Sequence, residues 1–236
     1  MMSESNLNDA TRIPIGIITD STETPRLDEK ETVVISFDVE ATGSSPVNGS
    51  MVMLGIVVVR ESAPIPDKNR KWYIDKQSWC IKEYNRRDER CMNEFWSKYP
   101  VNLRYILEIA KEPRIVAQEI SNYLAELGKK YKYYFLADPA SFDWAWLIDF
   151  YDRFGPNNKT NLGYKSICMD SMEKALNFMG IPHNTSEDAK AYGLQMTHMA
   201  DDDAEFQAYQ YLMLMNIMNK YKNLIEQFSV SEPSIK

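Results

Sequence analysis

Asp38 and Glu40 stand two residues apart at the end of an otherwise apolar run, residues 32–40, TVVISFDVE. The branched and aromatic residues of that run predict a strand. Residues i and i+2 of a strand project from one face. Val33, Ile35, Phe37 and Val39 would then share one face, and Asp38 and Glu40 the other. Two neighbouring carboxylates repel each other and are costly to desolvate. A divalent cation removes that cost, because hard cations take oxygen ligands. Ala41-Thr42-Gly43 reads as the strand end and a turn. Taken alone, the pair also fits an edge strand with a solvated polar face, so the other acidic positions must decide.

Two such positions fall at the ends of buried elements. In residues 134–144, YFLADPASFDW, a strand runs out and a helix begins near Ser141. Asp143 falls in its first turn, where the helix dipole favours an acid. In residues 197–204, THMADDDA, Thr197 suits an N-cap and three consecutive acids follow. His198, one of two histidines in the chain, precedes Asp203 by five residues. Successive helical residues are turned by about 100°, so Asp202 and Asp203 cannot both face one point.

The elements that must position these groups follow from periodicity. A turn containing Gly43, Pro46, Asn48 and Gly49 leads from the first strand to a second apolar run, residues 51–59, as in an antiparallel hairpin. Residues 71–74 read as a third strand, with short helical pieces near 88–96 and 103–111. A helix is predicted from Pro113 with Val116, Ile120, Tyr123, Leu124 and Leu127 on one face, stopped by Gly128. A short buried strand, 133–137, precedes a helix over 141–154 with Trp144, Leu147, Ile148 and Tyr151 inward. Further helices are expected over 168–179, with Met172, Ala175, Leu176 and Met179 inward, and from 197 to about 225. Three early strands followed by alternating helices and a strand predict an α/β domain with a mixed sheet. The polar segment 1–30, broken by Pro14 and Pro25, reads as a flexible arm, with a short apolar patch at residues 13–18. Residues 31–228 form the domain and 229–236 a loose tail.

A chain of 236 residues with 44% hydrophobic residues can bury a substantial core. It has no apolar run long enough for a membrane span and no secretory signal pattern. Three widely spaced cysteines, Cys80, Cys91 and Cys168, form no C-x-x-C pair, so neither a zinc site nor a disulfide framework is expected, and a cytoplasmic location is. The net charge of −7 does not advertise a nucleic-acid binder. A site that gathers carboxylates around cations is nonetheless acidic in sequence. Residues 68–90 hold a local excess of Lys and Arg that could lie along a phosphate backbone. His183, in a loop with Pro and Asn, has no acidic partner at useful spacing and reads as a surface residue. No phosphate-binding G-x-x-x-x-G-K-[ST] loop is present.

The three segments Phe37-Asp38-Val39-Glu40-Ala41-Thr42-Gly43, Ser141-Phe142-Asp143 and His198-Met199-Ala200-Asp201-Asp202-Asp203-Ala204 resemble, in order, the exonuclease motifs of the DnaQ-like (DEDDh) 3′–5′ exonucleases. The resemblance spans roughly residues 32–225. It implies a ribonuclease H-like fold, a mixed five-stranded sheet with three antiparallel strands leading, flanked by helices. It implies that Asp38, Glu40, Asp143 and Asp203 hold two Mg²⁺ or Mn²⁺ ions about 4 Å apart, Asp38 bridging them. His198 would be the general base, its five-residue spacing pairing it with Asp203 rather than Asp202. Ala41 and Thr42 would contact the terminal nucleotide through backbone groups. The expected partners are DNA or RNA 3′ ends, with no membrane, and a homo-oligomer is possible. The second motif departs from the many members that carry Asn shortly before the Asp, since Asp138-Pro139 stands there. Two other classes fit parts of the pattern. One is a metal-dependent phosphatase, which normally requires Asp-x-Asp where this chain has Asp-x-Glu. The other is a nucleic-acid-binding accessory protein with little or no nuclease activity.

Overall fold

The structure, a computed structural model, describes residues 30–68, 70–156, 162–163 and 165–230. The segment expected as an arm therefore lies, apart from Lys30, outside the described residues, as do residues 231–236. Five strands form one mixed sheet in the order β3-β2-β1-β4-β5. β1 (Thr32–Ala41) lies at its centre, antiparallel to β2 (Met51–Arg60) and parallel to β4 (Lys132–Ala137). β3 (Asp75–Cys80) pairs with β2 at one edge, and β5 (Ser166–Cys168) with β4 at the other. The ribonuclease H-like α/β sheet with three antiparallel strands leading is thus present. The edge-strand reading of residues 32–40 is overturned, because β1 has a partner on both sides.

Alternation along β1 divides the core into two layers. Val33, Ile35, Phe37, Val39 and Ala41 pack against α3 (Pro113–Lys130) and α4 (Ala140–Phe154), through Val116, Ile120, Leu124, Trp146 and Phe150. Val34 lies on the opposite face, with Val57, Val59 and Leu136, under α5 (Met169–Phe178) and α7 (Ala200–Val230). Asp38 and Glu40 belong to this second face. A third cluster joins Val52 and Met53 to Trp96 of a 3-10 turn (Trp96–Lys98) and to Leu103 and Ile106 of α2 (Pro100–Glu108), with Cys91 and Met92 of α1 (Glu89–Glu94) partly buried against it. Val52 and Met53 can face the same cluster because the register slips between Glu40 and Ala41, which pair with Met53 and Met51. Such a bulge bends the strand end beside the acidic pair.

Several boundaries differ from the sequence expectation. The third strand is Asp75–Cys80 rather than 71–74. Its polar Lys76, Gln77 and Ser78 suit a sheet edge and carry no apolar signal, whereas Trp72 packs against Tyr209 of α7. α3 continues through Gly128 to Lys130. The buried stripe of α4 is Trp146, Leu147, Phe150 and Tyr151, with Trp144 and Ile148 only partly buried. In α5 Met179 falls outside the helix and is exposed. Helix α6 (Thr185–Tyr192), capped by Asn184 and ended by Gly193 at φ 110°, has no counterpart in the sequence expectation, and α7 extends to Val230.

Gly55 is the residue that lets α7 reach the sheet. It pairs with Asp38 across β1 and β2. A Cβ on Gly55 would lie 2.1 Å from the Ala200 carbonyl carbon and the Asp201 amide nitrogen, so only hydrogen there admits the start of α7. The obstruction is backbone, which cannot rotate aside. Gly55→Ala is expected to lower stability by about 2–3 kcal/mol, a drop of roughly 5–10 °C in the thermal midpoint for a domain this size. Thermal denaturation followed by circular dichroism checks this, and an unchanged midpoint would contradict the packing described.

Candidate active site

The cleft lies where β1 outruns its parallel neighbour. Pairing with β4 covers Thr32 to Ser36. Beyond it the Val39 amide donates instead to Asp143 Oδ1, 3.0 Å away. Asp143 lies one turn N-terminal to Trp146 and Leu147 on the buried stripe of α4 and is 2% exposed. The helix thus directs its first-turn acid to the strand's unpaired amide, beside Asp38 and Glu40. This is the crevice at the carboxyl ends of parallel strands where α/β sheets commonly bind ligands.

The third contribution comes from the start of α7. Met199 carbonyl accepts the Asp202 and Asp203 amides, so the helix begins after it, and Thr197 is not the N-cap that the sequence suggested. Thr197 instead donates its amide to Asp203 Oδ1 at 2.7 Å, and His198 its amide to Oδ2 at 3.2 Å. Asp203 is thereby fixed and almost fully buried. Its two acidic neighbours point elsewhere. Lys76 Nζ of β3 lies 3.4 Å from Asp201, 2.7 Å from Asp202 and 2.9 Å from Glu205. The helix rotation that separates Asp202 from Asp203 is therefore matched by separate partners.

His198 has φ of 58°, the left-handed region unfavourable to a side chain of this kind. Asn102 of α2 holds it there by donating to the carbonyls of Thr197 and His198 at 2.8 and 3.3 Å. The imidazole packs against the rings of Phe95 and Tyr99, centroids 4.9 and 4.2 Å away. Its Nδ1 is 3.9 Å from Asp203 Oδ2. Burial holds its pKa below the ordinary value, so the ring is neutral near pH 7.

Glu40, His198 and Asp203 each offer a ligand atom, all within 4.8 Å of one another. Asp38 and Asp143 stand outside this tight trio but join it electrostatically. Burial, then the charges of Asp143, Glu40 and Asp203, push the half-buried Asp38 carboxyl well above the usual range. Burial, followed by Asp203 and Asp143, pushes Glu40 up to about 8. Burial raises Asp143 to about 7 and Asp203 to about 6, against the lowering effect of the amides that each accepts. Among the described residues none of the four pairs with a Lys or Arg. Carboxylates crowded, desolvated and without a side-chain cation are the donor set of a hard divalent ion. Asp38, Glu40, Asp143 and Asp203 fit Mg²⁺ or Mn²⁺, and His198 stands close enough to share in or border such a site.

The cleft has a volume of about 560 Å³ and is also lined by Ala41, Arg90, Phe95, Asp138, Phe142 and Met196. Ala41 is at the wall with its carbonyl taken by Trp96 Nε1 at 2.9 Å. The structure does not bring Thr42 there. It is fully buried, its amide donates to Ser50, its carbonyl accepts from Asp88, and its hydroxyl accepts from Ser50. Its backbone amide and carbonyl, the groups expected to meet a nucleotide, are thus both engaged within the protein. Within the basic segment, Lys76, Lys82, Arg87 and Arg90 are each paired with acids. His183 lies off the cleft, half-buried, with Nδ1 3.0 Å from Ile181 carbonyl. Sequence reasoning missed Asn102, Phe95, Tyr99 and Gln207, which act through contacts between distant elements. Gln207 alone left a trace, as a polar residue four positions after Asp203.

The raised carboxyl pKa values set a sign for pH dependence. These groups keep protons in the folded state that the unfolded chain, with values near 4, has already lost. Their favourable contribution is complete below about pH 4 and is lost as pH rises through about 6–8. In EDTA the thermal midpoint should fall across that window. Mn²⁺ should raise it far more at pH 8 than at pH 5, and a midpoint that responds equally to Mn²⁺ at both pH values would contradict a shared cation site.

No family model matches the sequence, and no curated protein is matched by sequence. By structure, the chain is similar to the nuclease domain of 3′hExo, a DEDDh family member, solved bound to rAMP. The match covers 79% of this chain and 92% of that one, with a TM-score of 0.50 and 14% identity. At that identity the likeness concerns the arrangement of strands and helices, that is, the fold alone.

Proposed function

We propose that the protein is a cation-dependent 3′–5′ exonuclease that hydrolyses DNA or RNA from the 3′ end and releases nucleoside 5′-monophosphates, with residues 31–228 as its catalytic domain. The observation that carries this reading is the convergence of Asp38, Glu40, Asp143, Asp203 and His198 from β1, α4 and the approach to α7 on one cleft, with none of the four carboxylates ion-paired to a Lys or Arg among the described residues. Asp38, Glu40, Asp143 and Asp203 would hold two Mg²⁺ or Mn²⁺ ions. When bound, such ions polarise a phosphate and stabilise a leaving oxygen.

The chain's own residues supply the remainder. His198, neutral near pH 7, accepts a proton from the attacking water. Asp203, close to Nδ1, stabilises the imidazolium that forms. The rings of Phe95 and Tyr99 restrict the imidazole to one orientation. Phe142, 37% exposed at the mouth, and Met196 offer apolar surface to a terminal base, and Ala41 forms the wall beside it.

With Mn²⁺ and oligonucleotides labelled at the 5′ end, the protein should generate a ladder that shortens from the 3′ end. His198→Ala should lower kcat by about 10²–10⁴-fold without changing the circular dichroism spectrum. Asp38→Ala should abolish measurable cleavage. Full activity in either variant defeats the assignment. Release of orthophosphate from a monoester, with the oligonucleotide intact, would favour a phosphatase.

A further inference from the structure

We propose that Gln207 is a positioning residue for Asp38, retained in the interface between α7 and the sheet at a cost in fold stability; this rests on reading the cleft as a cation site. Gln207 lies one turn after Asp203 on α7, so both project toward the acidic face of β1. Its Nε2 donates to Asp38 Oδ1 at 2.9 Å. The residue is 2% exposed. That single hydrogen bond fixes the carboxylate's rotation and engages one oxygen.

The other half of the amide distinguishes positioning from packing. Gln207 Oε1 is buried and has no hydrogen-bond partner among the described residues. Reversing the amide would set its oxygen against the Asp38 carboxylate, so the orphaned carbonyl accompanies the useful donor. Ser36 Oγ, two residues before Asp38 on the same face of β1, is likewise buried without a partner. Among the described residues, Asp38 is the hydrogen-bond partner of this amide. Ala204, Ala208 and Tyr211 around it on α7 belong to an apolar cluster. A methionine of similar length would suit that cluster and leave no unpaired oxygen. An amide at this position therefore serves the orientation of Asp38 rather than the fold, because buried polar groups lacking partners destabilise.

The test compares the full chain with Gln207→Met. Three quantities are measured: the thermal midpoint in EDTA, the Mn²⁺ dissociation constant by calorimetry, and kcat and KM on a 3′-labelled oligonucleotide. The positioning role predicts an unchanged or higher midpoint and Mn²⁺ binding weaker by roughly 10–100-fold. It also predicts lower kcat at limiting Mn²⁺, recovered at high Mn²⁺, with KM for the oligonucleotide unaltered. A midpoint lowered by several degrees would make Gln207 a structural cross-link and overturn the proposal. So would wild-type Mn²⁺ affinity in the variant. If the wild-type chain binds no Mn²⁺, the cation-site reading fails and takes the proposal with it. If it binds Mn²⁺ but cleaves neither DNA nor RNA, the nuclease reading fails while the calorimetric comparison still decides the role of Gln207.

Discussion

Four buried or half-buried carboxyl groups gathered at the carboxyl end of the central strand set the main constraint on this structure. Burial is the main reason that Asp38, Glu40, Asp143 and Asp203 hold protons above the usual carboxylate range, and the charges of Asp143 and Asp203 add to it at Asp38 and Glu40. In a medium of low polarity like charges at short range are strongly unfavourable, so the fold must hold them together against that force. It does so with elements that cannot easily recede. β1 is clamped between β2 and β4. The α4 acid is tied to the Val39 amide. The start of α7 rests on the bare backbone of Gly55.

Charge is also sorted in space. Lys76 draws Asp201, Asp202 and Glu205 to the β3 side of α7, and burial of the lysine, which alone would favour its neutral form, is outweighed by those acids. What remains in the cleft is Asp203. A run of three acids is in this way divided into one inward group and two that stabilise the approach of helix to sheet. Bound cations would invert the sign of the cleft's potential, and an acidic chain could then accept a polyanion without a basic stripe.

The helices inserted between β3 and α3 connect packing to orientation. Trp96 is buried against the Ala41 carbonyl, Asn102 secures the backbone around His198, and Phe95 and Tyr99 flank its ring. A histidine in a left-handed conformation is strained, and strain of this kind persists only when the surroundings hold it in place. Here they do so through side chains almost a hundred residues away in sequence.

Much of this was legible in the sequence. The alternation of residues 32–40 placed the apolar and acidic faces of β1 correctly, because strand geometry has a period of two. Helical rotation alone separates Asp202 from Asp203. Edge strand β3 was misplaced, since an exposed polar strand carries no hydrophobic signal, and the three-residue β5 is too short to show a period. What only the tertiary structure decided was proximity: the central position of β1, the seating of α7 on Gly55, the removal of Thr42 from the cleft and the hydrogen bond from Gln207 to Asp38. Local periodicity is set by each residue's own backbone and neighbours. Contacts between remote elements depend on how whole layers pack, and no spacing within one segment records that.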